Sequence, residues 1–535
     1  MVELPNEVWY HIASFVPQEE WNRLLAINHV FLDIAFNMRY SEVLLITRHA
    51  TVAMKILDRV SDPFIAKRVK TLTLRLTHIK EQPLPSRAAS SSSLTGPMSL
   101  AARDNGFVRT HLHDTLQYIF RSARRPPVPA GGWTGNGLPS PATSPAVTFG
   151  EIMQKLIEIT PRFLSVKTLS VDSWDLPPAF DLRPLYEAFW GSRPSSTITL
   201  HPRFSGLHKP IPMTFGDRLT TLFIGGNLEN HRVLIKSRPR LASLQELRIE
   251  FTNNLFRVDP EADAEILVRD IATFVKGMGS TLKKLCVWSW ASTDLSMFFT
   301  ALAGIILRGP KMNLNPVNHF PVLDSLHIRT PFNRAFRDPS GLKDLIAVTS
   351  SSLKQLELRL NPSGLAIDPA CELPLAQWLI GDLLLPSESE SSNSSSEGLN
   401  PLANLTILDI YPTNLGQGID FLLDVIKKCS GTLVDVTIRD RYLQPAEATV
   451  VIEALAKCKE LKALRFNVWR LDLDLLDLLA KSVPGVERFW VSVSDDWRRT
   501  PDDLIGQQSD AKTMNAFARS IPSLTSFYGN GHLKL

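Results

Sequence analysis

LQELRIEF, residues 244–251, carries Leu at its first and fourth positions and Ile at its sixth. Alternation of this kind buries one side of a strand and leaves the other free. The same six-residue unit recurs along the chain. It reads LTTLFI from Leu219, LKKLCV from Leu282, LDSLHI from Leu323, LKQLEL from Leu353 and LTILDI from Leu405. It continues as LVDVTI from Leu433, LKALRF from Leu461, VERFWV from Val486 and LTSFYG from Leu524. An earlier copy, VKTLSV from Val166, opens the series, and VKTLTL from Val69 reads as a detached first strand. Helical stretches fall between the units, at 262–276, 295–307, 341–348, 419–428, 446–457 and 473–481. A short strand followed by a helix, repeated about every 25–30 residues, is the pattern of a leucine-rich repeat. Each unit has an apolar strand face and an apolar helix face that only its neighbours can cover. The expected fold is therefore α/β: an irregular leucine-rich-repeat solenoid with a parallel curved sheet and helices on its convex side. A doubly wound α/β domain also alternates strand and helix, and is the competing architecture.

Composition agrees with a large folded chain. Of 535 residues 76 are Leu, and 58 basic side chains nearly balance 54 acidic ones, for a net charge of +4. Such a balance gives no electrostatic footprint for nucleic acid or an anionic membrane. The longest apolar stretch, Leu295–Leu307, is too short to span ~30 Å of hydrocarbon. Glu3 and Glu7 stand where a signal peptide needs positive charge. Cys286, Cys371, Cys429 and Cys458 are widely spaced and form no CxxC pair, as in reduced thiols of a cytoplasmic or nuclear protein.

Two segments depart from the repeat. Nine of the 37 prolines lie between Glu81 and Val147, with a Ser run at 90–93 and a Gly-rich tract at 131–137. Such composition lacks the apolar material to offset ordering entropy, so 81–150 is expected to be a mostly flexible insertion. An island around Phe107–Phe120 has helical spacing. A second, Ser-rich and acidic loop covers 386–401. These boundaries leave 46–80 as a linking helix and first strand, and 151–535 as the repeat domain.

Residues 1–45 form a helical cluster with apolar positions Val8, Ile12 and Phe15, then Leu24, Ile27 and Phe31. A unit this small cannot bury such stripes alone, so part of its apolar surface must meet the rest of the chain or a partner. LPNEVWYHIASFVPQEEWNRLLAINHVF, residues 4–31, resembles a three-helix F-box, and AFNMRYSEVLL with DPFIAKRVKTLTLRL gives it the flavour of fungal F-box proteins. Trp9 stands where an aliphatic residue is more usual, and Tyr40 is the nearest aromatic to the place of a common tryptophan. The resemblance implies a non-catalytic substrate receptor of an SCF-type ubiquitin ligase. Its F-box would dock on the Skp adaptor and through it on a cullin, while the solenoid holds a target protein. Carried over, Leu4, Pro5, Val8, Trp9, Ile12, Leu24, Leu25 and Phe31 are the adaptor-binding positions. The alternative is a repeat scaffold, acting outside ubiquitination, whose F-box-like helices only cap the array. A hydrolase or transferase on an α/β core is a third reading.

Catalytic signatures are missing from the sequence. No GxxxxGK, GxSxG or HExxH occurs. His111, His113 and Asp114 resemble a metal pair, but no second cluster supplies further ligands, so no metal and no cofactor is expected. Target binding is expected on the outward positions of the repeated strands: Trp288, His327, Arg329, Arg359, Tyr411, Arg439, Arg465 and Trp490, with Glu357 and Asp409 among them. Exposed Trp, Tyr and Arg are typical of interface hot spots, and their mixed company of charges favours a protein over a polyanion.

Overall fold

The first, fourth and sixth residues of the repeated unit are buried in every copy from Val69 to Val491, as Leu244, Leu247 and Ile249 illustrate. The first of them precedes the strand and the other two alternate along it, so one face of each strand is closed by apolar side chains. The computed structural model describes residues 4–17, 20, 24, 29–47, 49–76, 147–173, 176, 181–190, 215–237, 239–253, 261–290, 294–304, 318–330, 338–359, 400–411, 418–471, 473–494 and 523–529. The island at 107–120, the His111–His113 pair, the Gly-rich tract, residues 386–399 of the Ser-rich loop, Cys371 and Leu25 lie outside the described residues.

In chain order the elements are α1 (Asn6–Ser14), α2 (His29–Tyr40), β1 (Glu42–Leu45), α3 (Ala50–Val60), α4 (Pro63–Ala66), β2 (Thr71–Arg75), α5 (Phe149–Ile159) and β3 (Thr168–Asp172). Next come α6 (Arg183–Trp190), α7 (Phe215–Arg218), β4 (Thr221–Gly226), α8 (Leu228–Lys236), β5 (Glu246–Phe251), α9 (Glu261–Lys276), β6 (Lys284–Ser289) and α10 (Ser296–Ala303). The series closes with β7 (Ser325–Arg329), α11 (Ser340–Thr349), β8 (Gln355–Arg359), β9 (Ile407–Ile410), α12 (Gly418–Cys429), β10 (Asp435–Leu443), α13 (Pro445–Leu455), β11 (Ala463–Val468), α14 (Leu473–Ser482), β12 (Arg488–Val493) and β13 (Ser526–Gly529). The chain divides into two units, 1–80 with 148–535 and 81–147, and all these elements lie in the first.

The strands form one 13-stranded sheet, paired in parallel in strict sequence order from β1 to β13. A doubly wound sheet reverses its strand order at a switch point and buries both faces. Here the order never reverses, and strands such as β4 and β5 alternate half-buried and buried residues. Neighbouring helices stack on one another in the same order: α9 on α10, α10 on α11, α12 on α13, α13 on α14. The result is a solenoid-like α/β stack whose other sheet face carries no described helix. Helix–helix approach is close where small residues permit it. A Cβ on Gly341 at the start of α11 would lie 2.3 Å from the backbone nitrogen of Thr300 in α10.

The sheet begins one strand earlier than VKTLTL. Val43 and Leu45 of β1 are buried, and β1 pairs with β2 in register from Glu42–Thr71 to Leu45–Leu74. The VKTLTL strand is not detached either: β2 pairs with β3 although 77–146 intervene in the sequence.

Ahead of β1, Pro5 opens α1, its carbonyl accepting from the Val8 and Trp9 amides. Helix α2 packs against α1 and against β1. It is fixed to the stack by an ion pair between Asp33 and the buried guanidinium of Arg68, which also lies 3.8 Å from the Phe64 ring centroid. Phe36 adds an edge-on contact to Phe64. Leu24 is helical and half-buried; with 25–28 outside the description, two of the three expected N-terminal helices are traced.

Candidate binding face

On the sheet face that carries no described helix (the helix-free face), the strand register lines up two rows of side chains. The middle row runs Arg248, Cys286, His327, Glu357, Asp409, Thr437, Arg465 and Trp490 from β5 to β12. A second row runs Glu250, Trp288, Arg329 and Arg359, with Tyr411 just beyond the end of β9. Five residues expected from the sequence, Trp288, His327, Arg329, Arg359 and Tyr411, therefore meet on β6–β9. Arg465 and Trp490 lie further along on β11 and β12. Arg439 sits on β10 where its register with β11 shifts, its carbonyl accepting from Asn467. On the N-terminal helices, Leu4, Pro5, Val8 and Ile12 are exposed, Trp9 is half-buried and Phe31 is buried.

Glu357 is the centre of this face. Only 3% of it is exposed, yet one carboxylate oxygen lies 2.8 Å from His327 Nδ1 and the other accepts from Arg329 Nε. Burial alone pushes its carboxyl up, but the hydrogen bonds from His327 and Arg329 outweigh it and hold Glu357 below the usual glutamate range. The Arg329 guanidinium lies 4.0 Å from the Trp288 ring centroid, and Arg248 lies 3.2 Å from it. Trp288 is thus flanked by two cations. Arg248 pairs with Glu250 at 2.9 Å, and Trp290 Nε1 donates to the other oxygen of Glu250 at 3.0 Å.

Asp409, next to Glu357 in the middle row, behaves in the opposite way. Burial, reinforced by the neighbouring negative charge of Glu357, pushes its carboxyl up to about 7. Three polar atoms of this region are buried with no hydrogen-bond partner: Trp288 Nε1, Arg359 Nε and Asp409 Oδ1. Buried polar atoms are nearly always satisfied in folded proteins, so these three mark where a bound group would be welcome.

One relay has the look of catalysis. Ser325 Oγ lies 2.9 Å from His327 Nε2, and His327 Nδ1 contacts Glu357, the order of a Ser–His–acid triad. Its surroundings oppose acyl transfer. Ser325 is 5% exposed, and the amides of Asp324 and Ser325 both donate to the Lys283 carbonyl rather than facing an oxyanion. Arg329 also neutralises the acid of the relay. A fluorophosphonate probe is expected to leave Ser325 unlabelled by peptide mass analysis; labelling lost in Ser325→Ala would establish the hydrolase reading instead.

The three described cysteines are free and buried. Burial pushes the thiols of Cys286 and Cys429 up to about 12 and that of Cys458 up to about 11. Among the described residues no group of three or more His, Cys, Asp or Glu side chains is placed to hold a metal ion, and no helix is long and apolar enough to cross a membrane. Arg248, Glu250 and Ser325 were absent from the expected set, although the frame that picked out Trp288 and His327 also covers them. Neither a family model nor a curated protein matches the chain.

Proposed function

We propose that the chain is a non-catalytic substrate receptor of an SCF-type ubiquitin ligase. Its N-terminal helices act as an F-box that docks on a Skp adaptor, and through it on a cullin scaffold. A leucine-rich-repeat solenoid offers its helix-free face to a target protein, in the cytoplasm or nucleus.

The observation that carries this reading is the outer stripe of α1. Leu4, Val8, Ile12 and Phe15 recur at helical spacing and remain 42%, 39%, 38% and 75% exposed. The adjoining stripe, about 100° round the helix, is the one that packs inward, through buried Ala13 and through Trp9, whose ring meets Phe31 edge-on at 5.7 Å. A helix that only capped the array would turn its apolar side inward and leave a polar one out. Helix α1 has a second apolar side with no cover from the described chain, which suits a helix that binds a separate protein. The scaffold alternative draws its support from α2, which is anchored on β1 and Arg68. The two readings separate in capture of a purified Skp adaptor by the full chain and by its Val8→Asp/Ile12→Asp variant.

A further inference from the structure

Charge on the helix-free face is mostly consumed locally. Arg248 pairs with Glu250, Lys284 with Glu246, Arg329 with Glu357, and Arg488 approaches Asp435 at 3.8 Å. Arg359 and Arg465 are in none of these pairs. Among the described residues no carboxylate oxygen lies within ion-pair distance of Arg359 or Arg465. Each instead sits against an aromatic ring, Arg359 at 4.9 Å from the Tyr411 centroid and Arg465 at 4.6 Å from that of Trp490. An aromatic ring against a guanidinium holds it in place and leaves its N–H edge for a planar, two-toothed acceptor such as a carboxylate. The buried, unpartnered Nε of Arg359 is one such donor.

Position adds a length. Arg359 is on β8 and Arg465 on β11, three strand spacings apart and two residues out of line along the strands, or roughly 16 Å between backbones. Four residues of extended chain cover about 13 Å, and the length of the arginine side chains spans the remainder. Asp409, on β9 between them, would repel an incoming acid if fully charged, but with its carboxyl pushed up to about 7 it offers a proton near neutrality.

We infer that the target segment held on this face is acidic and extended, with two carboxylates about four residues apart pairing with Arg359 and Arg465. The inference rests on the target-binding reading above and names its substrate class. The mixed signs around the two arginines, with Glu357 two residues from Arg359 and Asp435 acting on Arg465, suit spaced single charges better than the continuous charge of a polyanion.

The test uses the full chain and a fluorescein-labelled peptide with the core Asp-Gly-Ser-Gly-Asp. Controls carry Asn-Gly-Ser-Gly-Asn and Asp-Gly-Asp. Fluorescence anisotropy is expected to show saturable binding of the first, at least about tenfold weaker for either control. Arg359→Gln and Arg465→Gln are each expected to weaken it about tenfold, with circular dichroism unchanged. Arg359→Lys, which keeps the charge but loses the planar fork, should fall between. Equal binding of the Asp and Asn peptides, no saturable binding of the Asp peptide, or unchanged affinity in both Gln variants would overturn the inference. Adaptor capture through α1 involves neither arginine, so its success or failure is read separately.

Discussion

Replacing Glu357 by Ala is expected to lower the stability of the stack by about 3–5 kcal/mol at neutral pH. The side chain is nearly fully buried and holds both His327 and Arg329. Removing it leaves the Arg329 guanidinium without its ion-pair partner, on one side of Trp288 with Arg248 on the other, while Glu250 stays with Arg248. Losing one partner of a buried pair costs more than the pair itself is worth, because the remaining charge keeps its desolvation penalty. The pH dependence has a definite sign. Glu357 is held below its usual value of 4.5, so its contribution is complete above that value and is lost as pH falls through the lower folded value. The deficit of Glu357→Ala should therefore be full at pH 7 and shrink below about pH 4.5. Thermal midpoints of wild type and variant across that range measure it; equal midpoints at pH 7 would show that the network contributes nothing.

The neighbouring acid should respond in reverse. Asp409 is raised from 3.8 to about 7, so between those values the folded chain keeps a proton that the unfolded chain releases. Stability then falls as pH rises through that window, and the cost is fully present above about pH 7. Asp409→Asn removes the charge and should be more stable than wild type at pH 8, by up to ~4 kcal/mol, with the difference gone near pH 4. A variant less stable than wild type at pH 8 would mean that the Tyr411 hydrogen bond to the ionised carboxylate outweighs the cost of its burial. Two carboxyls on adjacent strands thus differ in sign because one has captured the available cation and the other has not.

Much of this was legible in the chain, and the reason is the strictness of the frame. A residue packed between sheet and helices must be apolar, so Leu353, Leu356 and Leu358 announce both a strand and its buried face. Aligning the repeated units also puts His327 beside Glu357, because parallel pairing keeps the same frame from strand to strand. Strand β1 escaped notice since it has no apolar first residue: half-buried Tyr40 holds that place, at the end of α2. The division of labour on α1 was hidden for a different reason. Its sequence has two apolar stripes, and periodicity alone does not say which one meets Phe31. Nor does register reveal which arginines remain without a carboxylate; that depends on side-chain reach, as when Arg329 takes the second oxygen of Glu357 and leaves Arg359 to Tyr411.

Val8→Asp combined with Ile12→Asp is expected to abolish capture of a Skp adaptor while leaving the thermal midpoint of the chain nearly unchanged. Both side chains lie on the exposed stripe of α1, one helical turn apart, so a charge at either position stays in water in the free chain. Surface changes of that kind usually alter stability by no more than about 0.5 kcal/mol. In a complex the same two charges would be pressed into an apolar contact without partners, at several kcal/mol each, or a loss of about a thousandfold or more in affinity. Trp9→Asp serves as the contrasting change. Its ring packs on Phe31 inside the chain, so it should lower the midpoint as well as binding. The scaffold reading makes the reverse forecast: no adaptor is captured by wild type, and deleting residues 1–45 unfolds the stack by removing β1, which exposes the edge of β2, and by leaving Arg68 without Asp33. Wild-type capture that survives Val8→Asp/Ile12→Asp would also reject the docking surface, because it would place the adaptor contact somewhere other than the exposed Val8–Ile12 stripe of α1.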